Sequence, residues 1–456
     1  MQKVKSTRKN LTGRKEIWNH NTELSESKTM LNRLKFLINR IRERLWVRPF
    51  AMCILSVGAV FLAKMVDIPN IGQFVPEITL ESLGILLTTI SASMLVIATF
   101  AVASMVAAYA SASSTATPRS FSLVISDDVS QNALSSFLGA FIFSIIALIA
   151  LKNGYYDKAG RFTLFALTII VFAIVIVMFV KWVDSIARLG RLGTIITKVE
   201  RATAASPQRR RKSPTLSGIP AGPHHDEGQS IYGSSIGYVQ HVNVSALQTF
   251  AEKSQVRITV AALPGTFSAP GRALAHVTAD SGDLSGIETS QIEESFVIGD
   301  NRKFDEDPRF GLIVLSEIAS RALSPAVNDP GTAIQVIGAF VRLFALWSEP
   351  IKEDGKKNSE CNRVEVPQIS LRDMFDDAFT AIARDGAGMI EVAGRLQKSL
   401  ESLSSTGDTK MRTVAIHHSR LALARAEKAL ELSEDLEVVR KLAKFANQVQ
   451  QNDSAR

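Results

Sequence analysis

No charged residue stands between Ser82 and Pro118, a run of 37 positions. As one helix that run would rise about 55 Å, nearly twice the roughly 30 Å of hydrocarbon in a bilayer. The expectation is a helix that spans over Leu83–Met105 and continues into the cytoplasm until Pro118, whose missing amide hydrogen stops it. Along it Thr99, Ala103, Ala107, Ser111 and Thr115 recur every four residues. They form a stripe of small side chains on one helical face, which lets another backbone approach closely. Either the stripe packs helices together, within one copy or between copies, or it lines a polar permeation path.

Three further runs meet the length test for a span: Pro49–Val66, Asn132–Leu151 and Phe162–Val180. Lys64 is near enough to the end of the first to reach the interface, and Lys181-Trp182 follow the last as an expected interfacial anchor pair. Hydrophobic residues make up 46% of the chain and charged residues 21%, ordinary globular values, because a polar remainder dilutes the apolar block. The net charge of +8 is unevenly spread, with 13 Lys/Arg against four Asp/Glu in positions 1–48. A basic flank beside an apolar block points to anionic lipid head groups as partners and away from nucleic acid.

Within that flank, Leu34, Leu37, Ile38, Ile41 and Leu45 share a face of a helix over Met30–Val47, either lying in the head-group plane or acting as a solvated linker. No cleavable signal peptide is expected, since the first apolar run begins only near residue 49. Lys181, Arg188, Arg191, Lys198 and Arg201 follow the last run, whereas Asp67–Glu81 contains neither Lys nor Arg. The positive-inside rule then puts both termini in the cytoplasm, although Lys152–Arg161, with three basic residues, would face outward. Cys53 and Cys361 are the two cysteines, too few for a disulfide framework and consistent with a reducing compartment.

The sequence divides into a basic segment (1–48), a four-helix transmembrane domain (49–185), a linker (186–234), a small β-rich domain (235–300) and a cytoplasmic helical domain (301–456). Ala202–Ser234 reads as a flexible linker, rich in Ser, Pro, Gly and charge, with Arg209-Arg210-Arg211-Lys212 as a solvated charge run or a lipid contact. His224-His225-Asp226-Glu227 lacks a second ligand group at a metal-site spacing, so no metal is expected. From Ile236 the period becomes two. Ile236, Tyr238, Val242 and Val244 are expected on one strand face, Val256, Ile258 and Val260 on another, with further strands at Ala273–Val277 and Phe296–Ile298. After Pro308 helices are expected at Phe310–Leu323, Thr332–Trp347, Arg372–Ala383, Gly388–Ser402 and from about Lys410 to Val449.

The sequence holds no phosphate-cradling loop, no nucleophile elbow and no His-Glu-x-x-His. An enzyme is therefore the third reading, behind a channel and a binding or scaffold protein, and no cofactor is expected. One constellation stands out, between Arg302 and Thr332. Asp329 is placed to cap a helix that begins at Pro330, and Ser324-Pro325 ends the helix before it. Arg321 is placed to pair with Asp329 or with an acid among Asp305–Asp307. The residues singled out are Arg302, Asp305, Asp307, Arg321, Ser324, Asn328, Asp329 and Thr332. They read as a structural joint, as a pocket offering arginine donors beside a helix N-terminus to an anion, or as an active site with an aspartate base.

The string Arg321-Ala-Leu-Ser-Pro-Ala-Val-Asn-Asp-Pro-Gly-Thr-Ala333 resembles the signature of bacterial predicted membrane proteins grouped as the domain-of-unknown-function family 2254. Pro118-Arg119, Gln131 and Gly139 agree with that family, as do Gly237-Tyr-Val-Gln240 and the stretch from Arg302 to Gly311. The resemblance runs from about residue 40 to 450. Lys303 stands where the family more often has threonine, Glu306 where glutamine is common, and Glu317 in place of aspartate. The resemblance implies four spans in a bacterial inner membrane and supplies no activity.

The fold class expected is therefore membrane α-helical, with four transmembrane helices and a cytoplasmic α+β region. The expected function is a homo-oligomeric channel or permeation module with a regulatory cytoplasmic part, acting on an unidentified ion or small molecule. The alternative is a membrane-anchored ligand-binding or scaffold protein without transport.

Overall fold

The computed structural model describes residues 46–65, 76–115, 117–120, 123, 128–188, 192–222, 227–279, 288–349, 361–406 and 408–447. Most of the amphipathic stretch Met30–Val47 and the His224-His225-Asp226 cluster lie outside the described residues. The chain divides into two compact units, one of residues 1–115 with 121–191, the other of 116–120 with 192–456.

The first unit consists of α1 (Val47–Met65), α2 (Leu80–Thr115), α3 (Asp128–Lys152) and α4 (Lys158–Arg188). Helix α3 packs against all three others. Its buried positions explain why: Ser136, Gly139, Ala140, Ser144 and Ala147 are small. A Cβ on Gly139 would stand 3.2 Å from Ser56 Oγ and 3.3 Å from Met52 Cβ of α1, so the two helices are already in close contact. In lipid, where apolar side chains gain nothing by leaving one another's company for hydrocarbon, such close approach holds helices together. Larger residues fill the rest of the interior, with Leu87, Phe143 and Leu164 in one cluster and Met94, Phe137 and Trp182 in another. The Tyr156 hydroxyl donates to the Val60 carbonyl at 2.8 Å. Outward, the unit exposes Leu55, Phe100, Val106, Ile170 and Val180, an apolar surface suited to lipid.

Two details differ from expectation. Trp182 is 2% exposed and packs on Phe137 and Phe179, because α4 runs on to Arg188 and carries Trp182 on the same inner face as Val175, two turns earlier. It is a core residue and not an interfacial anchor. On α2, the face toward the core is Leu83, Leu87, Ile90, Met94, Ala101 and Met105, while Thr99, Ala103, Ala107 and Ser111 are exposed. The small stripe that packs the unit internally is the one on α3.

The second unit begins with α5 (Leu192–Lys212), followed by β1 (Ile219–Pro220), β2 (Gln229–Tyr232), β3 (Gly237–Val242), α6 (Val244–Ser254), β4 (Val256–Val260), β5 (Phe267–Ser268), β6 (Ala273–Ala279), α7 (Thr289–Glu293) and β7 (Phe296–Gly299). Then come α8 (Pro308–Ala322), α9 (Pro330–Ser348), β8 (Val364–Val366), α10 (Leu371–Asp385), α11 (Ile390–Thr406), α12 (Thr409–Ala429) and α13 (Ser433–Leu442). One sheet has the order β1-β8-β4-β6-β2 and the other β5-β3-β7. Val256, Ile258 and Val260 point into the core as their alternation requires. In β3 the inward residues are Val239 and Val242, because the register shifts between Val239 and His241, and Ile236 is left exposed.

The β part and the helical part interleave. Strand β8, after α9, pairs in parallel with both β1 and β4, and its Val364 and Val366 are fully buried. The stretch Ala202–Lys212, expected as a linker, is the second half of α5. Ile195, Val199, Thr203, Ser206 and Arg210 recur at helical spacing on its buried face against α8 and α9. Tertiary partners outweigh the Pro207 it contains. The long final helix expected from Lys410 is two, α12 and α13.

Among the described residues, five helices are long and apolar enough to cross a membrane: α1 to α4, and α9. In α9, Val336, Ile337 and Phe340 are fully buried, and the helix packs on α5, α8 and α11.

Candidate functional site

The acidic triplet Asp305-Glu306-Asp307 precedes α8, and each member takes a different side-chain partner. Asp307, 4% exposed, is the helix cap: its Oδ1 accepts from the amides of Arg309 and Phe310 at 3.1 and 3.2 Å. Its Oδ2 accepts from Arg302 Nε at 2.6 Å. The Arg302 guanidinium lies 5.6 Å from the centre of the Phe310 ring, a cation–π contact. Glu306 meets His241 Nδ1 at 2.6 Å, and Asp305 lies 3.8 Å from Arg209 of α5, which also donates to its backbone carbonyl. Gly265, at φ +95, sits against this pair: a Cβ there would be 2.9 Å from Arg302 Nη2 and closer still to Asp307 Oδ2.

Arg309, on the first turn of α8, forks onto α10. It donates to Asp377 at 2.6 and 3.1 Å and to Asp373 at 2.8 Å. Burial pushes the Asp377 carboxyl above the usual aspartate value, against the opposing pull of Arg309. Elsewhere on α8, Glu317 pairs with Arg119, a residue of the short connection after α2. Arg119, from a stretch that resembles the family, thus pairs with a position at which this chain departs from it.

The other half of the expected constellation is the α8–α9 turn. Asp329 caps α9 as expected, accepting from the Thr332 amide at 3.1 Å and its hydroxyl at 2.6 Å. The Thr332 hydroxyl, with its amide, holds the Asp329 carboxyl below the usual range. Ser324 Oγ donates to the Arg321 carbonyl at 2.7 Å, and Asn328 adopts φ +49. Arg321 and Asn328 are exposed.

The two halves do not converge. Arg302, Asp305 and Asp307 lie at the start of α8, whereas Arg321, Ser324, Asn328, Asp329 and Thr332 lie at or beyond its end. Fifteen helical residues separate them by about 22 Å. The carboxylates of Asp307 and Asp329 are each committed to a helix cap. At both ends the local chemistry is that of a joint.

A cavity lies elsewhere in this unit. A space of about 570 Å³ is lined by Arg210, Arg211, Trp347, Ser370, Asp408 and Lys410 among others. It lies where the end of α5 meets the end of α9 and the N-termini of α10 and α12. Arg210 and Arg211 belong to the basic cluster expected to be solvated. The signal in the sequence was the period of α5, which puts Arg210 in register with buried Ile195, Val199 and Thr203. Among the described residues no group of three His, Cys, Asp or Glu is arranged to hold a metal ion.

Several helices long and apolar enough to span a bilayer, joined in one chain to an α+β unit, define a multi-helix membrane protein. Residues 42–402 match the family described as "Predicted membrane protein (DUF2254)", and the chain belongs to that family. Over 105 residues it is 36% identical to an uncharacterized protein of Mycobacterium tuberculosis (strain CDC 1551 / Oshkosh), and 35% identical to one of Mycobacterium bovis (strain ATCC BAA-935 / AF2122/97). Each match covers 22% of this chain and 20% of the relative. No solved structure matches.

Proposed function

We propose that this is a multi-pass protein of a bacterial inner membrane whose four-helix unit anchors a cytoplasmic ligand-binding unit. The observation that carries this reading is the 570 Å³ cavity that the α+β unit holds, lined by Arg210, Arg211 and Trp347 among others. Cavities of that size are typical of small-molecule sites. Helix α9 is taken as a core helix of the soluble unit, since Arg342 near its end is paired bidentately with Glu200 of α5 at 2.6 and 2.8 Å. The basic flanks of the apolar block support termini on the cytoplasmic side.

The test is flux from liposomes holding the purified full chain. No solute leak is expected. A selective, saturable flux would overturn the anchoring role.

A second reading rests on the exposed stripe of Thr99, Ala103, Ala107 and Ser111. A path between copies of a homo-oligomer, lined by these residues, requires a stable oligomer. A protein that is monomeric in detergent and in nanodiscs would remove it.

A further inference from the structure

Arg210 has lost its water with little in exchange. It is 5% exposed, and among the described residues its Nε and Nη1 reach no acceptor. Among the described residues its side chain makes one hydrogen bond, from Nη2 to the Pro367 carbonyl at a long 3.3 Å. A guanidinium carries five N–H donors, and a buried cation left this way is unfavourable unless a counter-charge completes it. Glu306 lends electrostatic support, but that carboxylate is hydrogen-bonded to His241. Burial lowers the Arg210 pKa to about 10, which still leaves it cationic at neutral pH.

Two helices begin at the wall of the cavity that Arg210 lines. Ser370 caps α10, accepting from the Asp373 amide at 3.2 Å, and Asp408 caps α12, accepting from the Met411 amide at 2.9 Å. Each N-terminus keeps further amide donors and the positive end of a helix dipole. Arg211 and Lys410 add two cations, set against the carboxylates of Glu349 and Asp408. Trp347 supplies an aromatic wall. Three cations, two helix N-termini and a guanidinium without its hydrogen-bond partners are the chemistry that recognises phosphate.

We propose that this cavity binds a phosphate group, carried by a soluble small molecule or by a lipid, with Arg210 as its anchoring cation. The proposal rests on reading the α+β unit as a binding module and names the class of its ligand.

The experiment is calorimetric titration of the full chain in detergent with pyrophosphate, paired with thermal unfolding. Saturable binding and a raised unfolding temperature are expected. Arg210→Met should bind about 10-fold or more weakly, the loss expected for a charge-assisted hydrogen bond. Without pyrophosphate it should unfold no earlier than the wild type, because it removes a buried cation with unmet donors. Lys410→Ala, at an exposed position, should weaken binding several-fold with the fold unchanged, and it decides the matter if Arg210→Met does not fold. Competition by added phosphatidylglycerol would assign the phosphate to a lipid, and its absence to a soluble ligand. Absence of binding up to about 10 mM pyrophosphate, or equal binding by the wild type and both variants, would overturn the proposal. A different ligand class that shifts unfolding where pyrophosphate does not would overturn it too, while sparing the binding-module reading.

Discussion

Arg302 Nε donates to Asp307 Oδ2 at 2.6 Å, with the two side chains 17% and 4% exposed, and the other oxygen of Asp307 caps α8. One carboxylate thus ties the loop after β7 to the start of the helix that organises the helical layer.

Removing that carboxylate should be far more costly than removing a cap alone. Asp307→Ala deletes the cap and strands a largely buried guanidinium, for a loss of about 3–5 kcal/mol. Asp329→Ala deletes only the half-exposed cap of α9 and should cost about 1 kcal/mol. Chemical denaturation of the two variants side by side checks the ranking. Equal losses would mean that Arg302 finds another partner.

Two glycines at positive φ separate strain from crowding. Gly271, at φ +80, has nothing within 4 Å of a built Cβ, whereas Gly265, at φ +95, would press on Asp307 and Arg302. Gly271→Ala should cost about 1 kcal/mol from backbone strain alone. Gly265→Ala should cost more, because it also displaces the ion pair. Their thermal unfolding temperatures give the comparison.

His418 of α12 sits between Phe375 and Phe379, 3% exposed, with Nε2 3.3 Å from Asp376 but not aligned to hydrogen-bond it. Burial lowers its pKa from 6.5 to about 4. The folded state therefore favours the neutral ring. That preference is fully present above pH 6.5 and is lost progressively as the pH falls toward 4. At about 1.4 kcal/mol per pKa unit the whole effect is on the order of 3 kcal/mol. His418→Leu should flatten the decline in stability across this interval.

Arg119 and Glu317 are 54% and 29% exposed, so their pair contributes within about 1 kcal/mol. Reversal at Arg119 alone, to Glu, should lower the unfolding temperature. The double swap Arg119→Glu with Glu317→Arg should restore it. Failure of the swap to rescue would show that the geometry, and not the charge, makes the contact.

On the membrane unit, Gly139→Leu should disrupt the α1–α3 contact and lower the yield of folded protein in detergent, since Met52 and Ser56 leave no room. Ala103→Leu, on the exposed stripe of α2, should leave one copy intact and act only on association between copies. Size-exclusion profiles of both variants distinguish these effects.

Much was legible in the sequence because it is one-dimensional physics. The absence of charge from Ser82 to Pro118 dictates a long helix whatever surrounds it, and α2 runs unbroken from Leu80 to Thr115. The two-residue period of Val256, Ile258 and Val260 and the cap at Asp329-Pro330 are set by neighbours along the chain, and both formed as read.

Contacts between distant segments decided the rest. Nothing local says that Arg302 pairs with Asp307 while Arg321 lies at the far end of α8, that Trp182 turns into its own bundle, or that the three residues of β8 complete a sheet begun 145 positions earlier at β1. Arg210 is a mixed case. Its basic neighbours mark it for solvent, and the period of α5 sets it in line with Ile195, Val199 and Thr203. The burial of α5 against α8 and α9 decides between the two by stripping its water. Local patterns fix which backbone conformation is cheap, but burial depends on which surfaces meet, and that is a property of the folded whole.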